Sequence, residues 1–147
     1  MSKMASARGR WVSRRRSIAR IAPLPVTALV GRRVLIVEDD YFWADELHRG
    51  LLGAGAAVLD PVASVEAALE VLGSQITVDG AILNIQLRGE RGYAVADWLL
   101  ERTVPFLFVT GYDRLALPPG YAALPRLEKP ASVEAVLHAM IALLPLA

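Results

Sequence analysis

A chain of 147 residues has room for one domain of ordinary size and an appendage. It is 54% hydrophobic and 21% charged, with a mean hydropathy of +0.40, which excludes a disordered chain and allows a substantial core. It has no cysteine, so disulfides, thiolate metal sites and cysteine nucleophiles are excluded, and its two histidines, His48 and His138, argue against a histidine-based metal site. The longest uncharged stretch, Ala135–Ala147, is too short for a membrane span, which needs about 20 apolar residues.

The charge is distributed unevenly. Residues 1–30 carry Lys3, Arg8, Arg10, Arg14, Arg15, Arg16 and Arg20 and no acid, whereas residues 31–147 carry 15 acids and a net charge of −6. Pro23 and Pro25 block a helix across the end of the basic segment. Residues 1–30 are therefore expected to form a disordered basic tail, and residues 31–147 the folded domain. Ser13-Arg14-Arg15-Arg16 faintly resembles a twin-arginine signal, but the apolar stretch after it is short and broken by the prolines. The expected location is cytoplasmic, with no membrane insertion. The cations and Trp11 could touch nucleic acid through phosphates, but no base-reading motif accompanies them.

From Gly31 the chain alternates. Val34–Val37 is a short β-branched run without a polar face, as in a strand buried on both sides, and it ends in Glu38-Asp39-Asp40. A helix follows, with Ala44, Leu47 and Leu51 on one face, stopped by Gly53 and Gly55. Ala56–Leu59 reads as a second strand. Ser64 is positioned to cap a helix carrying Val65, Ala68, Leu69 and Leu72. Ala81–Leu83 is a third strand ending at Asn84, with Gly89 and Gly92 in the loop beyond it. Tyr93, Ala96, Leu99 and Leu100 mark a third helix.

Phe106–Val109 is a fourth strand ending at Thr110-Gly111. The proline-rich stretch Tyr112–Pro125 leaves room only for a short fourth helix. Arg126–Glu128 is a weak fifth strand ending at Lys129-Pro130. Ser132 then caps a helix with Val133, Val136, Leu137, Met140, Ile141 and Leu144 on one face. Five strands alternating with helices imply an α/β domain with a mainly parallel sheet. Glu38, Asp39, Asn84, Thr110 and Lys129 all fall at strand C-termini, the edge where open α/β sheets bind ligands.

In that order, these residues resemble the receiver domain of two-component response regulators, the CheY-like family, over about Arg32–Leu144. The matching pattern is an acidic pair after the first strand (Glu38, Asp39), a phosphoacceptor position after the third (Asn84), a threonine after the fourth (Thr110) and Lys129-Pro130 after the fifth. The compact Leu87-Arg88-Gly89-Glu90 loop is similar to a stand-alone bacterial subgroup. The resemblance implies a flavodoxin-like, doubly wound sheet of order 2-1-3-4-5. It implies a Mg²⁺ site made by Glu38, Asp39, the phosphoacceptor and the backbone carbonyl of Gln86. It implies that Thr110 and Lys129 bind phosphoryl oxygens, and that the peptide bond before Pro130 is cis. Partners implied are a histidine kinase, a phosphotransfer protein or another regulator, with a homodimer as a further arrangement.

The chain departs from this pattern in three places. Asn84 stands where the family has the aspartate that attacks the phosphoryl group. A carboxamide is neutral, and its nitrogen lone pair is delocalised, so Asn84 is not expected to form an acyl phosphate. Its amide oxygen would still ligate Mg²⁺, but weakly. Arg126 replaces the aromatic switch residue, and Tyr112–Pro125 reshapes a face used for association. His48 and His138 read as surface or structural residues and Trp43 and Trp98 as packing residues. Glu38-Asp39-Asp40 has a plain alternative as an acidic helix start.

The expectation is a non-enzymatic, degenerate receiver acting by protein–protein interaction, without an attached output domain. One alternative is a phosphorylatable receiver, with Asn84 engineered from aspartate or with Asp39 or Asp40 substituting. A second is a nucleic-acid-associated protein working through the tail.

Overall fold

The computed structural model describes residues 27–111 and 117–144. The apolar runs become strands: β1 (Arg33–Val37), β2 (Ala57–Val58), β3 (Gly80–Asn84), β6 (Phe106–Thr110) and β7 (Arg126–Glu128). They pair in parallel in the order β2-β1-β3-β6-β7. Counting only these five, the order is 2-1-3-4-5, the expected doubly wound topology.

The helices are α1 (Tyr41–Gly53), α2 (Val65–Gly73), α3 (Tyr93–Glu101) and α4 (Val133–Leu143). Alternation along each central strand divides the core in two. Val34, Ile36, Ile82, Leu107 and Val109 pack on α1 and α4, with Leu47, Leu51, Val136 and Met140. Leu35, Val37, Leu83, Phe106 and Phe108 pack on α2 and α3, with Ala68, Val95 and Leu99. Both layers direct β1, β3 and β6 toward one edge, so their C-terminal residues converge.

Ser64 and Ser132 cap α2 and α4 as expected, each accepting from a backbone N–H three residues on, at 3.1 and 3.0 Å. The domain boundary lies earlier than residue 31. Leu29 is fully buried against α1, and its N–H donates to the Ala54 carbonyl at 2.9 Å. The short apolar run Ala28-Leu29-Val30 is too brief to show a period, so sequence patterning did not place Leu29 in the core. Residues 1–26, which hold the basic segment, lie outside the described residues.

Two further differences stand out. Leu100, expected on the buried face of its helix, is 39% exposed, and Val95 is buried instead. The glycine loop after β3 contains a hairpin, β4 (Gln86–Leu87) against β5 (Glu90–Arg91). Its two turn residues, Arg88 and Gly89, both have positive φ, 47° and 85°, the type I′ geometry that suits a two-residue hairpin. Residues 112–116, where the short helix was expected to begin, lie outside the described residues; 117–125 contain turns and no helix.

Gly92 opens α3 against the back of the site strand. A Cβ there would lie 3.0 Å from the Asn84 carbonyl oxygen and 3.2 Å from Leu83 Cδ1. Backbone cannot give way as a side-chain tip can, so Gly92→Ala is expected to destabilise the fold by about 1–3 kcal/mol, measured by urea denaturation. An unchanged midpoint would contradict this packing.

Phe106, Phe108, Tyr93 and Tyr121 form an aromatic cluster under the 117–125 segment. Tyr121 stacks on Tyr93 and donates its hydroxyl to Asp97 Oδ1 at 2.5 Å. The Asp97 hydrogen bond first, then burial and the Asp97 charge, push the Tyr121 pKa up to about 12. A folded-state pKa above the unfolded value of 10.0 means the contribution is full below about pH 10 and is lost as pH rises toward 12. Titration of tyrosine absorbance should show a last ionisation near pH 12 that disappears in Tyr121→Phe. A titration completed well below that pH would refute the assignment.

Candidate functional site

β1 ends at Val37, and the chain turns so that Glu38, Asp39 and Asp40 take three separate roles. Asp40 is the N-cap of α1, its Oδ1 accepting from the Phe42 and Trp43 N–H groups at 3.1 and 3.2 Å. The helix-start reading therefore holds for Asp40 alone. Glu38, only 3% exposed, and Asp39 point instead toward the end of β3. The cluster serves both purposes, divided by residue.

Asn84 closes β3 and is 6% exposed. Its amide nitrogen donates to Glu38 Oε2 at 3.0 Å and to Asp39 Oδ1 at 3.4 Å. Its oxygen accepts the Gln86 N–H at 3.2 Å. That last bond fixes the amide's orientation, because a backbone N–H needs an oxygen opposite it.

The remaining carboxylate oxygens are also occupied. Lys129 Nζ donates to Glu38 Oε1 at 2.8 Å, and the Asp40 N–H to Glu38 Oε2 at 2.9 Å. The Arg88 N–H, presented by the hairpin turn, donates to Asp39 Oδ2 at 3.0 Å. Lys129 is placed by its own N–H, which donates to the Thr110 carbonyl at 2.7 Å, and is followed by a cis peptide bond to Pro130. The structure thus gathers Glu38, Asp39, Asn84, Thr110 and Lys129 at one edge. Arg126 is exposed on β7, away from this network.

Sequence reasoning did not find the Arg88 and Asp40 N–H donors. Only the Arg88-Gly89 pair, a positive-φ turn signal, could have pointed to the first.

The expectation of a weak Mg²⁺ site at Glu38, Asp39 and the Gln86 backbone carbonyl meets a set of side chains that are already hydrogen-bonded. A hard cation takes oxygen ligands, yet Asn84 offers its nitrogen to the acidic pair and commits its oxygen to Gln86. Glu38 and Asp39 already accept five hydrogen bonds from Asn84, Asp40, Arg88 and Lys129. Among the described residues no group of three or more His, Asp or Glu side chains converges to hold a metal. The donor set fits a pocket satisfied by N–H groups and one ammonium.

No family model and no curated protein matches the chain. Solved structures do match. SdrG from Sphingomonas melonis is 34% identical, with a TM-score of 0.64, over 80% of this chain and 98% of that one. A response regulator receiver protein from Burkholderia phymatum is 27% identical, with a TM-score of 0.68, over 79% of this chain and 97% of that one. The PhyR stress response regulator is 30% identical, with a TM-score of 0.67, over 81% of this chain but 47% of its own length.

Proposed function

The chain belongs to the receiver-domain family of response regulators in two-component signalling, and from that premise we propose that it works by docking on a partner without accepting a phosphoryl group. The observation that carries this reading is the orientation of Asn84. Its amide nitrogen sits 3.0 Å from Glu38 and supplies the positive dipole that the acidic pair requires. The position where the family has a nucleophilic carboxylate holds a neutral hydrogen-bond donor.

Neighbouring acids are poor substitutes. Asp40 Oδ1 is held by two helix N–H groups, and both Asp39 oxygens accept hydrogen bonds. The surface that presents the site is nevertheless intact, since the same network holds the ends of β1, β3 and β7 together. A histidine kinase, phosphotransfer protein or second regulator that recognises this edge can bind it with no chemistry following. Such binding would occupy the partner's receiver-docking surface. No helix among the described residues is long and apolar enough to cross a membrane.

The test is a phosphotransfer assay with a labelled phosphohistidine protein and a working receiver. Added in excess, the chain should slow label transfer several-fold and take up no label itself. Label appearing on the chain would overturn the reading.

A further inference from the structure

Helix α1 buries Ala44, Leu47 and Leu51 in the core it shares with the sheet and α4. Its outer face carries Tyr41, Phe42, Asp45, Glu46, Arg49 and Leu52, all exposed and at helical spacing. Tyr41 and Phe42 are 75% and 78% exposed, and their rings meet edge-on at 5.6 Å. Leu52, near the other end of the helix, is 51% exposed. Gly53 beside it has open space where a side chain would stand. The charges lie between these apolar ends. Arg49 pairs with Asp45 at 3.2 Å within the helix, while Glu46 has no ion-pair partner among the described residues.

One exposed leucine is ordinary, but the order of groups on this face complements itself. We propose that the outer face of α1 pairs with the same face of a second copy of the chain, antiparallel, about a two-fold axis level with Leu47. Tyr41 and Phe42 of one copy then cover Leu52 and Gly53 of the other, and Arg49 of one meets Asp45 and Glu46 of the other. Both ends and the middle agree on one register: Tyr41 with Gly53, Phe42 with Leu52 and Asp45 with Arg49 share Leu47 as their midpoint. Sliding the pair by one turn toward the aromatic end sets Asp45 over its own copy, acid on acid, which is unfavourable. The contact is isologous, so each pairing occurs twice.

The rings supply the buried surface and the charges fix the register. The helix has 13 residues and is about 20 Å long. A contact of that length buries less than the ~800 Å² per partner of a standard interface. The pair is therefore weak and forms at roughly 0.1–1 mM. The inference stands apart from whether the edge of the site receives another protein.

The chain has no cysteine of its own, so placed cysteines can report the register. Full chains carrying Tyr41→Cys and full chains carrying Leu52→Cys are mixed at high concentration with a short bismaleimide. The mixture should cross-link several-fold faster than either variant alone, because like positions lie at opposite ends of the antiparallel pair. In sedimentation equilibrium, the unmodified chain should dimerise as its concentration rises, and Arg49→Glu should weaken the dimer several-fold. A chain with Asp45→Arg and Glu46→Arg should be weakened likewise, and mixing it with the Arg49→Glu chain should restore dimers. A chain that stays monomeric to about 1 mM, a dimer indifferent to Arg49→Glu, a mixture that restores nothing, or like cysteines joining as fast as unlike ones would each overturn the proposal.

Discussion

Asn84→Asp is expected to convert a chain that gains no mass from acetyl phosphate and Mg²⁺ into one that gains a single phosphoryl group. The aspartate oxygen would attack phosphorus and acetate would leave, with the new bond at the end of β3. Lys129 and Thr110 already stand at that edge. The unmodified chain lacks the carboxylate, and the amide nitrogen lone pair is unavailable.

The same substitution should carry a stability penalty in metal-free buffer. It removes the donor shared by Glu38 and Asp39 and adds a third carboxylate beside them. Like charges at this distance repel strongly, and a hydrogen bond to a charged group contributes about 1.5–3 kcal/mol. The variant should therefore unfold at lower urea than the parent in metal-free buffer, and regain stability when Mg²⁺ is added. The parent should show no comparable response to Mg²⁺. A phosphoryl group mapped to this pocket in the unmodified chain would refute the argument.

Lys129→Met should be the most destabilising single change at the site. It keeps the stem's volume and removes the ammonium that faces Glu38 Oε1 at 2.8 Å. The Glu38 side chain is 2% exposed, so its charge cannot turn to water, whereas Lys129 is 26% exposed. Stranding a buried charge costs about 3–5 kcal/mol. The partial exposure of Lys129 reduces this to about 2–4 kcal/mol. A double-mutant cycle with Glu38→Gln separates the two contributions: the pair should recover much of the loss, because no charge is then left without a partner. If Lys129→Met shifts stability by less than about 0.5 kcal/mol, Glu38 is held by its other donors and the pair is incidental.

The scaffold was legible because its signals are local. Val34–Val37 and Phe106–Val109 are unbroken apolar runs, and Ser64 and Ser132 precede helical periods. The site residues were legible because each ends a strand. What could not be read was relational. The orientation of the Asn84 amide is set by Gln86 on one side and by Glu38, which is 46 residues distant in sequence, on the other. No pattern near Asn84 records which neighbour will arrive. Leu29 was missed for the same reason, since its partner Ala54 lies beyond α1. The Arg88-Gly89 turn was read as loop because β4 and β5 have only two residues each, too few to show alternation.

The two flanks of the main sheet decide how the molecule can meet its own copies. β2 has only two residues, and Asp60-Pro61 follow it before Val62 makes a lone bridge back to Val37. β7 has three residues, with charged Arg126 and Glu128 exposed on it. A short margin interrupted by proline on one side, and a charged one on the other, is a poor template for an incoming extended segment. Growth of the sheet from molecule to molecule is thereby discouraged at both ends. Self-association, where it occurs, is left to helical faces and to the rim of the site.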